Sequence, residues 1–181
     1  MMLYNWDEIK KEHKSPLKVR EALAKGEIYR IRRGLYSDVP TVSPFKIVAA
    51  KYPYATITMD TAFYIHGMTD VIPDKTFLAT KRNATRITDN EVTQVFVSEK
   101  IFEPGRIQME YDSATISIYD RERMLVEAMR NSKGMPFDYY KEIITNYRNI
   151  SETLDYQKIE DYISLFKRNE YLFNILQREV L

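Results

Sequence analysis

The chain has 181 residues, 27 of them Lys or Arg and 26 Asp or Glu, and no cysteine. That length supports one good core, or a small module joined to a larger one. The missing cysteine excludes a disulfide, a thiolate nucleophile and a Cys-ligated zinc, and it agrees with a reducing cytoplasm.

The longest stretch without a charged residue is nine residues, 61–69, far short of the roughly 18–20 apolar residues of a membrane span. The opening MMLYNWDEIKK has no apolar stretch of the secretory-signal kind. Charge is unevenly spread. Residues 1–38 hold nine basic and six acidic side chains, a balance of +3, and the remainder 18 against 20, a balance of −2. A polyanion responds to such local charge rather than to the near-neutral total.

In chain order, Asn5 is placed to cap a short helix, with Glu8 three residues on as its capping-box partner and Trp6 and Ile9 facing inward. Ser15-Pro16 then starts a second helix, with Val19, Ala22 and Leu23 on one stripe and Gly26 closing it. Next comes EIYRIRRGLY, residues 27–36, which reads as a tight β-hairpin turning at Arg33-Gly34. Residues 38–43, with Pro40 and Pro44 nearby, read as a linker.

Helix, short turn, helix, two-stranded wing is the order of a winged helix-turn-helix. Such modules usually have three helices. Only two fit before this wing, so the third is either absent or supplied from later in the chain. The centre reads as a helix ended by Pro53, a helix ended by Gly67, and four strands at 76–80, 92–98, 107–111 and 115–119. A helix capped by Asp120 follows and closes near Gly134. From Phe137 the pattern is helical. The expected fold is therefore α+β: a winged helix-turn-helix over 1–38, then a second domain over 39–181. That domain comprises a small mixed α/β centre to about residue 134 and a helical tail over 137–181.

The stretch from Lys14 to Tyr36 holds seven basic and two acidic residues. It makes Lys14, Ser15, Lys18, Arg20, Arg30, Arg32 and Arg33 the candidate DNA-binding residues. The three wing arginines would contact phosphate or the minor groove, and Lys18 and Arg20, near the start of the second helix, would reach bases. The other reading is a solvated hairpin whose charges blunt its edge. His66 lies at a helix end as a dipole partner or a packed side chain. Asp60, Asp70 and Asp74, and the short patterns Glu8-Ile9-Lys10 and Glu99-Lys100, are weak signals for a nuclease centre. Asp60 is equally suited to capping a helix. No phosphate-cradling glycine motif or nucleophile elbow occurs. These readings predict a non-enzyme without catalytic residues, metal or cofactor. The aromatic-rich tail, including Tyr139, Tyr140, Tyr147, Tyr162, Phe166 and Tyr171, reads as core with part of it open for an interface.

Three motifs in order carry a family resemblance. Gly26, Ile28, Arg30, Ile31, Arg33, Gly34, Leu35 and Tyr36 match a G-x-[IL]-x-R-[IV]-x-R-G-[LV]-Y wing. Thr61, Ala62, His66 and Gly67 match an [ST]-A-x-x-x-H-G helix. Glu122, Arg123, Leu125 and Glu127 match an E-R-x-L-x-[ED] helix. Over about residues 15–130 the chain resembles the AbiEi-type antitoxins of bacterial abortive-infection systems. The resemblance implies an N-terminal winged helix that represses its own promoter. It also implies a C-terminal part that counters a cognate nucleotidyltransferase-like toxin, without need of a stable complex, in a cytoplasmic phage-defence role. The alternative without a toxin partner is a plain winged-helix transcriptional regulator.

Overall fold

A computed structural model describes residues 2–167 and 169–181. The chain is α+β and divides into two compact units. One comprises Met1–Pro53 with Glu110–Thr115, the other Tyr54–Met109 with Ile116–Leu181.

The first unit opens with a strand that the sequence pattern does not predict, β1 (Leu3–Asn5), followed by α1 (Trp6–Glu12) and α2 (Pro16–Lys25). The hairpin β2 (Tyr29–Arg32) and β3 (Leu35–Ser37) completes a three-stranded sheet in the order β1-β3-β2. The capping box forms as expected. Asn5 accepts from the backbone N–H of Asp7 and Glu8, and Glu8 Oε2 accepts from Asn5 N–H at 2.8 Å. Ser15 caps α2 by accepting from Lys18 N–H, and Gly26 ends it in the left-handed region at φ +70°.

Ile9, Val19, Ala22, Ile28 and Tyr36 form this unit's core, with Tyr4 and Leu23 at its margin. Burying each large apolar side chain contributes about 1.5–3 kcal/mol. Trp6 does not face inward as expected. It stays partly exposed and tilts against Tyr36, with ring centroids 5.8 Å apart. The first unit also contains α3 (Pro44–Lys51), whose Phe45 packs edge-on against Tyr111.

The second unit is built on a five-stranded sheet in the order β6-β5-β4-β8-β7. Its strands are β4 (Thr56–Ile57), β5 (Thr76–Lys81), β6 (Val92–Val97), β7 (Arg106–Tyr111) and β8 (Ala114–Tyr119). The tip of the β7–β8 hairpin, where Asp112 and Ser113 both have positive φ, counts with the first unit. β5 and β6 run parallel without a crossover helix. Gln94 ties down the loop that joins them. Its amide donates to Thr80 Oγ1 and Thr85 O, and its Oε1 accepts from Ile87 N–H.

The helices of this unit are α4 (Met59–Ile65), α5 (Glu99–Phe102), α6 (Arg121–Asn131), α7 (Phe137–Asn149), α8 (Tyr156–Ser164) and α9 (Asn169–Ile175). A π-helical turn over Leu176–Val180 follows α9. Asp120 caps α6 as expected, but Asp60 does not cap α4. Thr58 holds the N-cap position, and Asp60 instead accepts from Tyr139 Oη. Among the described residues, no helix is long and apolar enough to cross a membrane.

α6 is the hub. Met124, Leu125, Val126, Ala128 and Met129 are fully buried, and α4, α7, α8 and α9 pack around the helix. These five residues make one broad apolar face, yet Arg123 and Glu127, outside that face, are buried as well. Arg123 Nε and Nη2 donate to Glu127 Oε1 at 3.1 and 2.7 Å, and its Nη1 donates to the carbonyls of Ile101 and Pro104. Gly105, at φ +80°, fits beneath it. A Cβ there would lie 2.6 Å from Arg123 Cβ.

Two substitutions test this packing. Arg123→Ala leaves carbonyls unpaired and a charge partner stranded, so urea unfolding is expected to show a loss of about 3–5 kcal/mol. Gly105→Ala is expected to cost at least about 2 kcal/mol through clash and left-handed strain. Parent-like unfolding of both would show that the guanidinium is dispensable.

Candidate nucleic-acid interface

All seven residues predicted from sequence lie in the first unit. Lys14 and Ser15 occupy the three-residue turn between α1 and α2. Lys14 itself holds a positive φ of 64°, which closes the turn without a glycine. Its side chain is exposed, and Ser15 Oγ is engaged in capping.

Val19 and Ala22 fix the inward face of α2, so a rotation of 100° per residue sets every other position. The face opposite the core carries Leu17, Glu21 and Ala24, with Leu17 65% exposed. Lys18 lies on one flank of that face and Arg20 on the other, both exposed. The helix therefore presents a centre of mixed chemistry between two cationic edges, rather than a uniformly basic surface.

The hairpin raises the remaining arginines. Arg30 is exposed on β2 opposite Tyr36 of β3, and Arg32 is half-buried opposite Leu35. The register slips between them, so Ile31 is the extra residue of a bulge. Arg33 is exposed in the turn, beside Gly34 at φ +77°. A Cβ on Gly34 would meet nothing within 4 Å, so glycine is required there for backbone conformation rather than for space. No carboxylate interrupts the sequence from Ile28 to Tyr36. Asp38, just beyond, has its carboxyl held below the usual carboxylate range, chiefly by the N–H of Met2, which donates to it at 2.8 Å.

The residues of the other two motifs form no comparable surface. His66 is buried at the end of α4, with Nε2 2.7 Å from the carbonyl oxygen of Tyr119. A carbonyl only accepts, so Nε2 carries the hydrogen. Burial is the chief reason its pKa lies below the usual histidine value. Thr61 Oγ1 donates to Lys75 O and accepts from Phe77 N–H, joining α4 to β5. Glu122 accepts from Asp155 N–H, and Glu127 holds Arg123 and Arg130. These are joints of the fold. The tail tyrosines serve likewise. Tyr147 donates to Arg121 O, Tyr162 to Asp120 Oδ2 and Tyr140 to Glu179 Oε2. Sequence pattern does not reveal the partners of these tyrosines, because each lies 26 to 42 residues away along the chain.

The depressed pKa of His66 has a consequence for stability. The unfolded chain takes up this proton first as pH falls, so the contribution of neutral His66 is present at pH 7 and is lost as pH drops below about 6.5. Asp60 and Asp120, whose carboxyls burial pushes up, act in the opposite sense at lower pH. The His66→Gln variant is expected to be less stable at pH 7 and to lose less stability than the parent between pH 7 and pH 5. Parallel curves in chemical denaturation would refute the assignment.

No protein-family model matches this chain and no curated protein matches it significantly, so its function rests on its own residues and geometry.

Proposed function

We propose that the protein is an antitoxin and transcriptional autorepressor of a toxin–antitoxin, abortive-infection operon. On this reading its first unit binds double-stranded promoter DNA as a winged helix-turn-helix. The observation that carries the proposal is the sequence of elements in that unit: two helices on a three-residue turn, followed at once by a hairpin with Arg30, Arg32 and Arg33 and no acid. α2 is then the recognition helix and β2–β3 the wing. The added strand β1 supports this reading, since it anchors the hairpin through β3 and gives the wing a fixed base.

The helical angles divide the work within α2. Lys18 and Arg20, on opposite flanks, suit the phosphate walls of a major groove. Leu17, Glu21 and Ala24 then face its floor, where an apolar side chain can meet a thymine methyl and a carboxylate can accept from cytosine. Sequence order alone gives base recognition to Lys18 and Arg20; this division gives it to the residues between them.

Fluorescence anisotropy with promoter and random duplexes over a salt series tests both parts. Changing Arg30, Arg32 and Arg33 together to Ala is expected to weaken binding to both duplexes. It is also expected to flatten the slope of log K against log salt by about 0.9 for each phosphate no longer neutralised. Lys18→Ala and Arg20→Ala should likewise weaken both duplexes alike, whereas Leu17→Ala or Glu21→Ala should change the ratio between them. An unaltered salt slope in the triple variant would overturn the wing assignment.

The antitoxin half of the proposal is supported by the three ordered motifs over about residues 15–130 that resemble AbiEi-type antitoxins. The partner is then a nucleotidyltransferase-like toxin encoded beside it, opposed in the cytoplasm without need of a stable complex. A second reading, a winged-helix regulator without a toxin, is favoured by one observation: His66, Arg123 and Glu127 are buried and offer no surface to a toxin. Growth on co-expression with the neighbouring gene decides between them. Rescue of growth by the protein, persisting in the triple arginine variant, is expected for an antitoxin. A neighbour that is harmless alone, or toxic and unrelieved, would leave only the regulator.

A further inference from the structure

We infer that the second unit holds a binding site for a nucleoside phosphate, independent of DNA binding by the first. The site is a cavity of about 540 Å³ between α5, the end of α6, Leu165–Lys167 and α9. That volume lies within the range of small-molecule sites, about 300–1,000 Å³. Lys100, Arg130, Lys133 and Lys167 line it together with Phe166 and Tyr171, and no carboxylate is among the described residues of its lining. Of these cations Arg130 is paired with Glu127, and Lys100, Lys133 and Lys167 add further positive charge around one cavity, in a unit whose overall balance is not basic, which favours an anionic ligand.

The local ion pairs sharpen the point. Glu99, next to Lys100, is turned to Lys81 at 3.7 Å. Glu127, behind the cavity, is held by the buried Arg123 and by Arg130. Among the described residues, no carboxylate lies within ion-pair distance of Lys100, Lys133 or Lys167. Arg130 is fixed in place, since its Nη1 donates to Glu127 Oε2 at 2.5 Å and its guanidinium lies 3.8 Å from the Phe166 ring centroid. A guanidinium so placed keeps further N–H donors for phosphate oxygens.

The ring component of the ligand follows from Tyr171. It is 43% exposed while most other aromatic side chains of the tail are buried or half-buried. Its ring carries Lys133 at 5.9 Å, so a flat π-face and a cation border the same cavity. Phosphate on the cations and a base on the tyrosine is the arrangement that a nucleotide satisfies. Another cavity of this unit, about 700 Å³, is lined mostly by apolar side chains such as Met59, Val71 and Phe77. It shares Arg130 with the first cavity but has no lysine in its described lining, and its Asp60 is engaged by Tyr139, so it gathers less positive charge.

Isothermal titration of the full-length protein tests the site, with ATP, UTP, pyrophosphate and adenosine as separate probes. Saturable binding of at least one nucleotide at one site per chain is expected, with pyrophosphate and adenosine each weaker. The double variant Lys133→Glu, Lys167→Glu, at exposed positions that leave the core intact, is expected to lose nucleotide affinity at least about tenfold. Circular dichroism checks its folding. Tyr171→Ala is expected to weaken the nucleotide but not pyrophosphate, and changing Arg30 and Arg33 to Ala in the wing should leave nucleotide binding unchanged. The inference is overturned if neither nucleotide binds saturably, if the double reversal leaves affinity intact, or if pyrophosphate binds as tightly as the nucleotides.

Discussion

The second unit depends on one buried cation. Arg123 has no solvent exposure, and a guanidinium cannot shed its charge, so every surrounding element must answer it. Glu127 supplies the countercharge one helical turn along α6. The carbonyls of Ile101 and Pro104 supply acceptors from α5 and the segment after it, and Tyr119 and Phe166 supply ring faces at 4.9 and 5.3 Å. These partners come from several parts of the chain. The charge thereby specifies how α6, β8 and the helical tail meet, because any other packing would leave it unpaired. Buried ion pairs add little net stability, but losing one partner is costly. A misassembled tail is penalised in the same way.

The first unit solves a smaller problem with less material. Its main core cluster has five buried side chains, with Val42, Ile47 and Ala114 buried elsewhere in the unit, so backbone devices add to its rigidity. The Asn5–Glu8 capping box, the Ser15 cap, the left-handed Gly26 and the β1–β3 pairing each define one junction. Together they hold a helix and a hairpin at set positions while leaving Lys18, Arg20, Arg30 and Arg33 exposed. On the proposed DNA-binding reading, fixed elements leave only side-chain freedom to be lost when these cations engage phosphates.

The three motifs behind the family resemblance divide by role. The first mixes structure and surface: Gly26, Ile28, Gly34 and Tyr36 build the hairpin, and Arg30 and Arg33 are displayed on it. The other two are almost wholly structural. His66 pins α4 to β8, and Arg123 with Glu127 ties α6 to its neighbours. A surface for a macromolecular or small partner in the second unit is therefore better sought among residues outside those motifs. The cations around Tyr171 are the clearest instance.

Much of the chain could be read locally. Caps, glycine stops, period-two alternation and the proline-bearing linker located α1, α2, the β2–β3 hairpin, the central strands and α6, since each signal acts within a few residues of the element it shapes. The short β1 and β4 escaped, because two- and three-residue strands carry no periodicity and exist only through their partners. Trp6 was misplaced because helical spacing near a terminus does not say how far the core extends. The basic character of α2 and the hairpin was plain from composition. That Lys18 and Arg20 flank Leu17 and Glu21, rather than lead the face, followed only once Val19 and Ala22 fixed the inward side. The burial of Arg123, and the gathering of Lys100, Lys133 and Lys167 around one cavity, were decided by tertiary structure alone. Both join residues far apart along the chain, and neither a buried charge nor an unpaired one leaves any mark on local sequence.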